Sequence, residues 1–584
     1  MRSRRSCGSR AVALTAAFYV LAATSSRAQS NQTQEQACCS AKHDGNRKEL
    51  SPKRAAAAAR FDARTEALLG ASPSSKGDWG LLIVDAQTGE PLFEKNADGY
   101  FVPASNMKLF TTALALAKLG PDYKFHTTLE TRGTISPDGK LSGDMVLVGR
   151  GDPNLSNRKF PYELKEEFDG VPERVLVELV DALVARGVKE ISGDIVGDDS
   201  YFPRERYPNG WEIDDMVWEY GAAISSIVVD DNTVAVTLTP GERLGDPVQA
   251  VVAPLTPDFA LQNDVTTSAA ALKSDLTLTP GEKMGDPVQA SVAPLTPDFA
   301  LQNDVTTSAA EVKSDLTLTR EPGASLVVVR GTLPAKSAPR KLVLAIEEPA
   351  QHAASLLAAL LAERGVKLDG KIRAVHVPEA DVTPRAVLAE HVSVPLGDSL
   401  KLVNKISQNL HTEMLLRTAA RRNGLWSTPE EMLKIPQDFY ATAGIAPDDV
   451  IQTDGSGLSR HDLVTPRSIV TLLKYAQGQT WFAPYYASLP VAGIDGSLQD
   501  RMKGTVAAGR IHAKTGSVEH VRTLSGFAET PSGRRLIFSF LSNNQGGKSH
   551  EAADALNGLC VAMIEEFDEA ATTLAPARDH AKQK

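Results

Sequence analysis

Residues 103–120 read Pro-Ala-Ser-Asn-Met-Lys-Leu-Phe-Thr-Thr-Ala-Leu-Ala-Leu-Ala-Lys-Leu-Gly. The spacing predicts a helix from Met107 to Leu119, apolar on nearly every side and closed by Gly120. Such a helix has no solvent face, so it belongs in the middle of a domain. Ser105 and Lys108 stand at its opening, three residues apart and therefore on one face. A lysine among apolar groups is desolvated, which lowers its pKa and lets it serve the nearby hydroxyl as a neutral base. The helix N-terminus also offers backbone N–H groups to an anionic intermediate. Ser-x-x-Lys alone is weak, since about two are expected by chance in a chain this long. Ser156-Asn-Arg-Lys159 is another, in a polar loop with no apolar helix to desolvate its lysine.

Around this helix the coarse pattern is readable. Residues 53–70 look helical, and Trp79–Ala97 reads as two strands about a Gln87-Thr-Gly turn. From 125 to 388 the chain is mostly strands and turns, with helices near 173–187 and 351–365. Residues 398–422 and 466–477 read as helical. Strands Arg510–Val518, Thr523–Glu529 and Arg535–Ser542 follow, then a helix over 549–567. A terminal antiparallel sheet flanked by helices, completed by strands from the chain start, makes an α+β domain interrupted by a mostly-β insertion. The expected boundaries are 53–124 and 389–568 for the two parts of that domain, and 125–388 for the inserted domains.

The insertion carries a tandem repeat with a period of 40. Thr237–Ser274 and Thr277–Ser314 differ at only five of 38 aligned positions. Two copies do not build a solenoid, so the simplest reading is a recent duplication, spanning about 235–314, in a tolerant region, or an error of sequence assembly; a functional pair of binding lobes is the sharper alternative.

Composition narrows the function. The 584 residues are 42% hydrophobic and 23% charged, which excludes wholesale disorder and a polytopic membrane protein. Residues 1–28 hold five arginines, no acid, an apolar run from Ala11 to Ala23 and a Ser26-Arg-Ala28 end, the pattern of a secretory signal peptide. Its removal takes the net charge from −10 to −15, a poor match to nucleic acid. Residues 29–52 read as a disordered arm and 569–584 as a loose tail. Four cysteines are no disulfide framework, and the Cys38-Cys39 pair has no His or acid cluster around it to suggest a metal.

Two further motifs lie downstream. Ser407-Gln-Asn409 sits in the helical region, where a hydroxyl and an amide can face a cleft. Lys514-Thr-Gly516 lies on a predicted strand, where Gly516 would allow close approach of a substrate backbone. Ser-x-x-Lys, Ser-x-Asn and Lys-Thr-Gly in this order are the active-site set of penicillin-binding proteins and serine β-lactamases.

The resemblance is closer than that superfamily. Pro103–Leu109, Gly149-Arg-Gly-Asp-Pro-Asn-Leu155, Gly193–Phe202, Asp454-Gly-Ser-Gly-Leu-Ser-Arg460, Ala492-Gly-Ile-Asp-Gly-Ser-Leu498 and His512–Ser517 resemble the class C low-molecular-mass penicillin-binding proteins, the D-alanyl-D-alanine carboxypeptidase/endopeptidase family. The resemblance implies a penicilloyl-serine transferase (β-lactamase-like) domain with a nested insertion. It implies that Ser105 attacks the carbonyl between the terminal D-alanines of a peptidoglycan stem peptide and that Lys108 takes its proton. The N–H groups of Ser105 and Ser517 would form the oxyanion hole, and Ser407 would pass a proton to the leaving D-alanine. Asn409 would orient Lys108, and Lys514 and Thr515 would hold the terminal carboxylate. Penicillin and other β-lactams would acylate the same serine, with no metal and no organic cofactor. Asp198 matches a family position that meets the ammonium of the diaminopimelate side chain. The family also implies a periplasmic site of action, and leaves peripheral membrane association and oligomeric state open. Gln408, where the family usually has Asp, and the 40-residue repeat are departures. A β-lactamase, or a non-catalytic scaffold that binds peptidoglycan, are the competing readings.

Overall fold

The computed structural model describes residues 52–568, apart from 71–73, 161, 163–166, 244, 247, 254–258, 263–276, 280–288, 292–298 and 547–548. The expected signal peptide, Cys38 and Cys39, the expected tail, nearly all of the expected arm and part of the repeat lie outside the described residues.

The chain's first strands and last strands form one antiparallel sheet. Strands β1 (Asp78–Asp85) and β2 (Pro91–Lys95) join β3 (Ile511–Val518), β4 (Val521–Glu529) and β5 (Arg535–Asn543) in the order β2-β1-β5-β4-β3. Side chains alternate across a strand. Leu82 and Val84 of β1 therefore pack on one face and Leu81 and Ile83 on the other. Both faces are covered, which is why Gly80-Leu-Leu-Ile-Val84 is an unbroken apolar run rather than an alternating one. Helices α1 (Pro52–Leu69) and α5 (Ser549–Glu566) cover one face, with Phe61 of α1 and Leu559 and Met563 of α5 in its core.

The other face carries helix α2 (Met107–Leu119), whose residues Met107 to Leu116 are all buried. The expectation of a central, all-round apolar helix is met. Burying a side chain such as Phe110 contributes about 2–3 kcal/mol relative to leaving it exposed. Helices α3 (Leu396–Lys405) and α4 (Asn409–Arg422) pack beside α2. The stretch 398–422 is thus broken by Ile406-Ser407-Gln408, with Ser407 at φ 67°. Short helices Lys434–Thr442 and Phe482–Ser488 complete this side and were not foreseen from the sequence.

The insertion has cores of its own. Strands Ile372–Val375, Ile195–Asp198, Met145–Val148, His126–Thr131 and Ala386–Val392 form a mixed sheet in that order. Helices Arg174–Ala185 and Pro349–Glu363 pack on it through Leu176, Leu179, Leu183 and Leu357. A second core gathers Val234, Val236, Leu301, Val305, Val327 and Val329 from the strands between Thr233 and Ala345.

The repeat folds alike twice. Thr237, Leu238 and Thr239 face Val251, Ala250 and Gln249, and Thr277, Leu278 and Thr279 face Ser291, Ala290 and Gln289 in the same register. The first hairpin joins a sheet with Arg340–Ala345, whereas the second forms a two-stranded sheet. The long strand Phe299–Ser308 comes from the second copy, and Phe259–Gln262 of the first lies parallel beside it in register. The inserted domain therefore takes its hairpin from one copy and its long strand from the other.

Candidate active site

Ser105 stands in a single turn, Ala104–Asn106, that leads straight into α2. Ala104 is left-handed at φ 46°, and Gly457 packs against it so closely that a Cβ there would lie 1.9 Å from the Ala104 carbonyl oxygen. The turn is thus shaped by the loop that carries Asp454-Gly-Ser-Gly-Leu-Ser-Arg460.

Lys108 is fully buried one turn further on, its Nζ 2.9 Å from Ser105 Oγ. The same Nζ donates to Asn409 Oδ1 at 2.5 Å and to the Ser456 carbonyl at 2.8 Å. Both of those oxygens only accept. A neutral amine has two hydrogens and one lone pair, so the two carbonyls consume the hydrogens and aim the lone pair at the Ser105 hydroxyl. Burial pushes the Lys108 ammonium down to about 7, against the opposing pull of Asp454, Glu413 and Asp462.

The second motif occupies the break between α3 and α4. Ser407, in the left-handed region, accepts from Lys514 Nζ at 2.9 Å. Gln408 is the N-cap of α4, its Oε1 accepting from Leu410 N at 3.0 Å. A cap needs only a side-chain oxygen there, so this departure from the family pattern has a structural use. Asn409 begins α4, and its amide Nδ2 donates to the carbonyl of Tyr220, from the insertion, at 2.8 Å.

The third motif lies on β3, the open edge of the sheet. Ala513 N donates off that edge to the Pro490 carbonyl. By the two-residue period, the N–H groups of Thr515 and Ser517 face the same way. Lys514 is fully buried, and its Nζ also donates to the Thr515 carbonyl at 2.9 Å. Burial, with the charge of Lys108 nearby, holds its ammonium well below the usual lysine range.

A cleft of about 610 Å³ opens over these groups, lined by Ser105, Ser407, Asn409, Thr515 and Ser517. Glu212, Asp214, Asp215, Tyr220 and Arg460 form part of its wall. Among the described residues no group of three or more His, Cys, Asp or Glu is placed to hold a metal ion.

The structure places two of the expected residues in other surroundings. Asp198 does not line this cleft. It is buried at the end of its strand, where Oδ2 accepts from Arg385 at 2.9 Å and Oδ1 from Ser200 Oγ at 2.6 Å. A carboxylate neutralised and covered in this way has nothing left for a ligand's ammonium. Gly516 is not opened towards a substrate either. A Cβ on it would lie 2.0 Å from Thr523 Oγ1 and 2.7 Å from the Pro103 carbonyl, so its smallness admits the turn that carries Ser105.

Sequence reading missed Glu413, the Ser456 carbonyl, Tyr220, Asp215 and Ser497. Glu413 is buried on α4 and accepts from the N–H groups of Gly455 and Ser456 at 2.9 and 2.8 Å, fixing the loop beneath Lys108. Burial raises its carboxyl to about 7. Ser497 Oγ lies 2.7 Å from Thr515 Oγ1. Of these, Ser456 and Ser497 stood inside phrases already quoted for the resemblance.

A profile of the D-Ala-D-Ala carboxypeptidase 3 (S13) family matches residues 63–278 and 273–562. The two matches meet at the junction between the repeat copies. A D-alanyl-D-alanine carboxypeptidase of Actinomadura sp. (strain R39) is 33% identical over 80% of this chain and 78% of its own length. The crystal structure of penicillin binding protein 4 (dacB) from Haemophilus influenzae superposes with a TM-score of 0.69 at 23% identity, covering 86% of this chain and 98% of that one. The same protein complexed with a β-lactam gives 0.64 at 22% identity over 86% and 99%.

Proposed function

Because the chain belongs to the D-Ala-D-Ala carboxypeptidase (S13) family, we propose that its serine carboxypeptidase activity runs through Ser105, with Lys108 as its base. The observation that carries this is the aim of Lys108: two acceptor carbonyls spend its hydrogens, and Ser105 Oγ sits 2.9 Å from what remains.

Lys108 takes the Ser105 proton as Oγ attacks the carbonyl between the two terminal D-alanines of a stem peptide. The outward N–H of Ser517, with that of Ser105, stabilises the oxyanion. Ser407 passes its proton to the departing D-alanine nitrogen and takes one in its place from Lys514, whose Nζ donates to it; water then hydrolyses the acyl-enzyme ester and returns Ser105. Asn409 orients Lys108. The carboxylates of the cleft wall, Asp215 among them, take the place first given to Asp198 and meet the ammonium of a diaminopimelate side chain. β-Lactams acylate the same serine, and the same cleft hydrolyses cross-linked peptides as an endopeptidase. The export signal over residues 1–28 supports action in the periplasm, on peptidoglycan. No helix of the described residues is long and apolar enough to cross a membrane.

Mass spectrometry of protein exposed to benzylpenicillin tests the proposal. The expected result is one adduct, on Ser105, that persists for minutes, together with release of D-alanine from a stem-peptide mimic. Ser105→Ala is expected to lose both. An adduct on another residue, or D-alanine release by the alanine variant, overturns it. Rapid turnover of many equivalents of penicillin identifies a β-lactamase instead.

A further inference from the structure

The proposed reaction needs a group to receive the substrate's terminal carboxylate, and Lys514 is badly placed to touch it. Its side chain is fully buried, and its Nζ is engaged with Ser407 Oγ and the Thr515 carbonyl. Lys514 acts through Ser407 and the main chain of Thr515 rather than by contact. The hydroxyl of Thr515 lines the cleft, and the exposed Ser497 Oγ lies 2.7 Å from it.

Ser497 is held there by several independent ties. Asp495, two residues earlier, accepts from Lys405 Nζ at 2.5 Å and from Val491 N at 2.9 Å. Lys405 also donates to the Leu489 carbonyl at 3.0 Å. Gly496 is left-handed at φ 59°, and a Cβ on it would lie 2.7 Å from the Lys405 carbonyl oxygen. Leu498, on the other side, is in the core beneath the sheet. Lys405 precedes Ser407 by two residues, so the loop is pinned to the segment that carries the second motif.

We propose that Ser497 is a positioning residue for carboxylate recognition, donating its hydroxyl hydrogen to Thr515 Oγ1 so that the Thr515 hydrogen points at the substrate's terminal carboxylate. A threonine hydroxyl has one hydrogen and rotates freely. Without Ser497 that hydrogen has no fixed direction, and with it the two hydroxyls form a polarised chain ending on an anion. The assignment rests on the carboxypeptidase reading of the same cleft.

The test compares two peptides, a stem-peptide mimic that keeps its free side-chain amine and ends in D-Ala-D-Ala, and its C-terminal carboxamide. Ser497→Ala is expected to lower kcat/KM for the acid about fivefold, the size of one modest hydrogen bond, with the loss in KM and kcat unchanged. Turnover of the carboxamide is expected to stay the same, and Ser497→Thr to restore the acid. In a Thr515→Val background the Ser497→Ala effect is expected to vanish. Equal losses on both peptides, or no loss on the acid, overturn the proposal while leaving the carboxypeptidase reading intact. A wild-type protein that cleaves neither peptide and takes no penicillin overturns both.

Discussion

The side-chain amide of Asn409 donates to the main-chain carbonyl of Tyr220 across 189 positions of sequence, so the insertion holds a residue of the candidate active site directly. Two residues on, the fully buried His411 meets Asp231 of the insertion through Nε2 at 2.6 Å, and Asp231 also binds Arg158. Asp230, Asp231 and Asn232 are all left-handed, a strained run that persists only where its surroundings hold it. Asp231→Ala leaves Arg158 and His411 short of a partner, at a cost of about 3 kcal/mol. The expected outcome is a lower thermal midpoint together with slower penicillin acylation. A lower midpoint with unchanged acylation would show that the clamp stabilises the fold without positioning Asn409.

Gly516→Ala tests what the third motif's glycine is for. The added methyl meets Thr523 Oγ1 and the Pro103 carbonyl, and overpacking of this kind costs about 1–3 kcal/mol. The strain falls on the turn of Ser105. Acylation by fluorescent penicillin is expected to slow about tenfold or more, with a modest change in thermal midpoint. Unchanged acylation with a weaker KM for peptide would return Gly516 to the substrate.

The parts of the site that were legible in the sequence are those whose chemistry is written in three or four consecutive residues. Ser105 and Lys108 announce themselves because an apolar helix surrounds the lysine, and Lys514-Thr-Gly516 because it falls on a strand. The sheet was legible from short β-rich phrases at both ends of the chain, Gly80-Leu-Leu-Ile-Val84 at the start and Arg535-Leu-Ile-Phe-Ser-Phe-Leu541 near the end. What was not legible depends on distance. Asp198 reads as a free carboxylate until Arg385 arrives from 187 residues away. Glu413 reads as an ordinary helix residue until the loop at Gly455 and Ser456 folds over it. The break at Ser407 is hidden because Val403–Leu410 contains no glycine or proline to mark it.

The proposed exchange of Asp198 for Asp215 is measurable. Asp215 lines the cleft, whereas Asp198 is tied to Arg385 and Ser200. Asp215→Asn is expected to lower kcat/KM about tenfold for a stem peptide with a free side-chain amine, and little for one whose amine is acetylated. Asp198→Asn is expected to lower the thermal midpoint and leave the preference between the two peptides unchanged. A loss of amine preference in the Asp198 variant alone would restore the sequence-based assignment.

The position of Lys108 fixes the sign of a pH dependence. Its ammonium is held at about 7, so below that pH it carries a proton and cannot accept one from Ser105. The acylation rate is therefore expected to rise with pH through an apparent pKa near 7 and then level off. Lys108→Arg, which stays protonated at any working pH, is expected to be inactive throughout the range. A wild-type profile that is flat between pH 6 and about 9 would remove Lys108 as the base.

The repeat makes the last test a deletion. Removing residues 257–296 joins Thr256 to Pro297 and reproduces the local sequence, because each copy reads Leu-Thr-Pro-Asp-Phe there. The hairpin Thr237–Ala253 and the long strand Phe299–Ser308, which the inserted domain uses, are both retained. The connection between them shrinks by 40 residues, the period of the repeat. Loop closure then favours the shorter chain by about 2 kcal/mol, and losing the Phe259–Gln262 pairing opposes that. No described residue of the repeat lines the cleft. The deleted protein is therefore expected to fold with a thermal midpoint close to the parent's and to acylate with penicillin at the same rate. A deletion variant that fails to fold would show that the first copy's strand, lying in register beside the second, has become part of the inserted domain's structure.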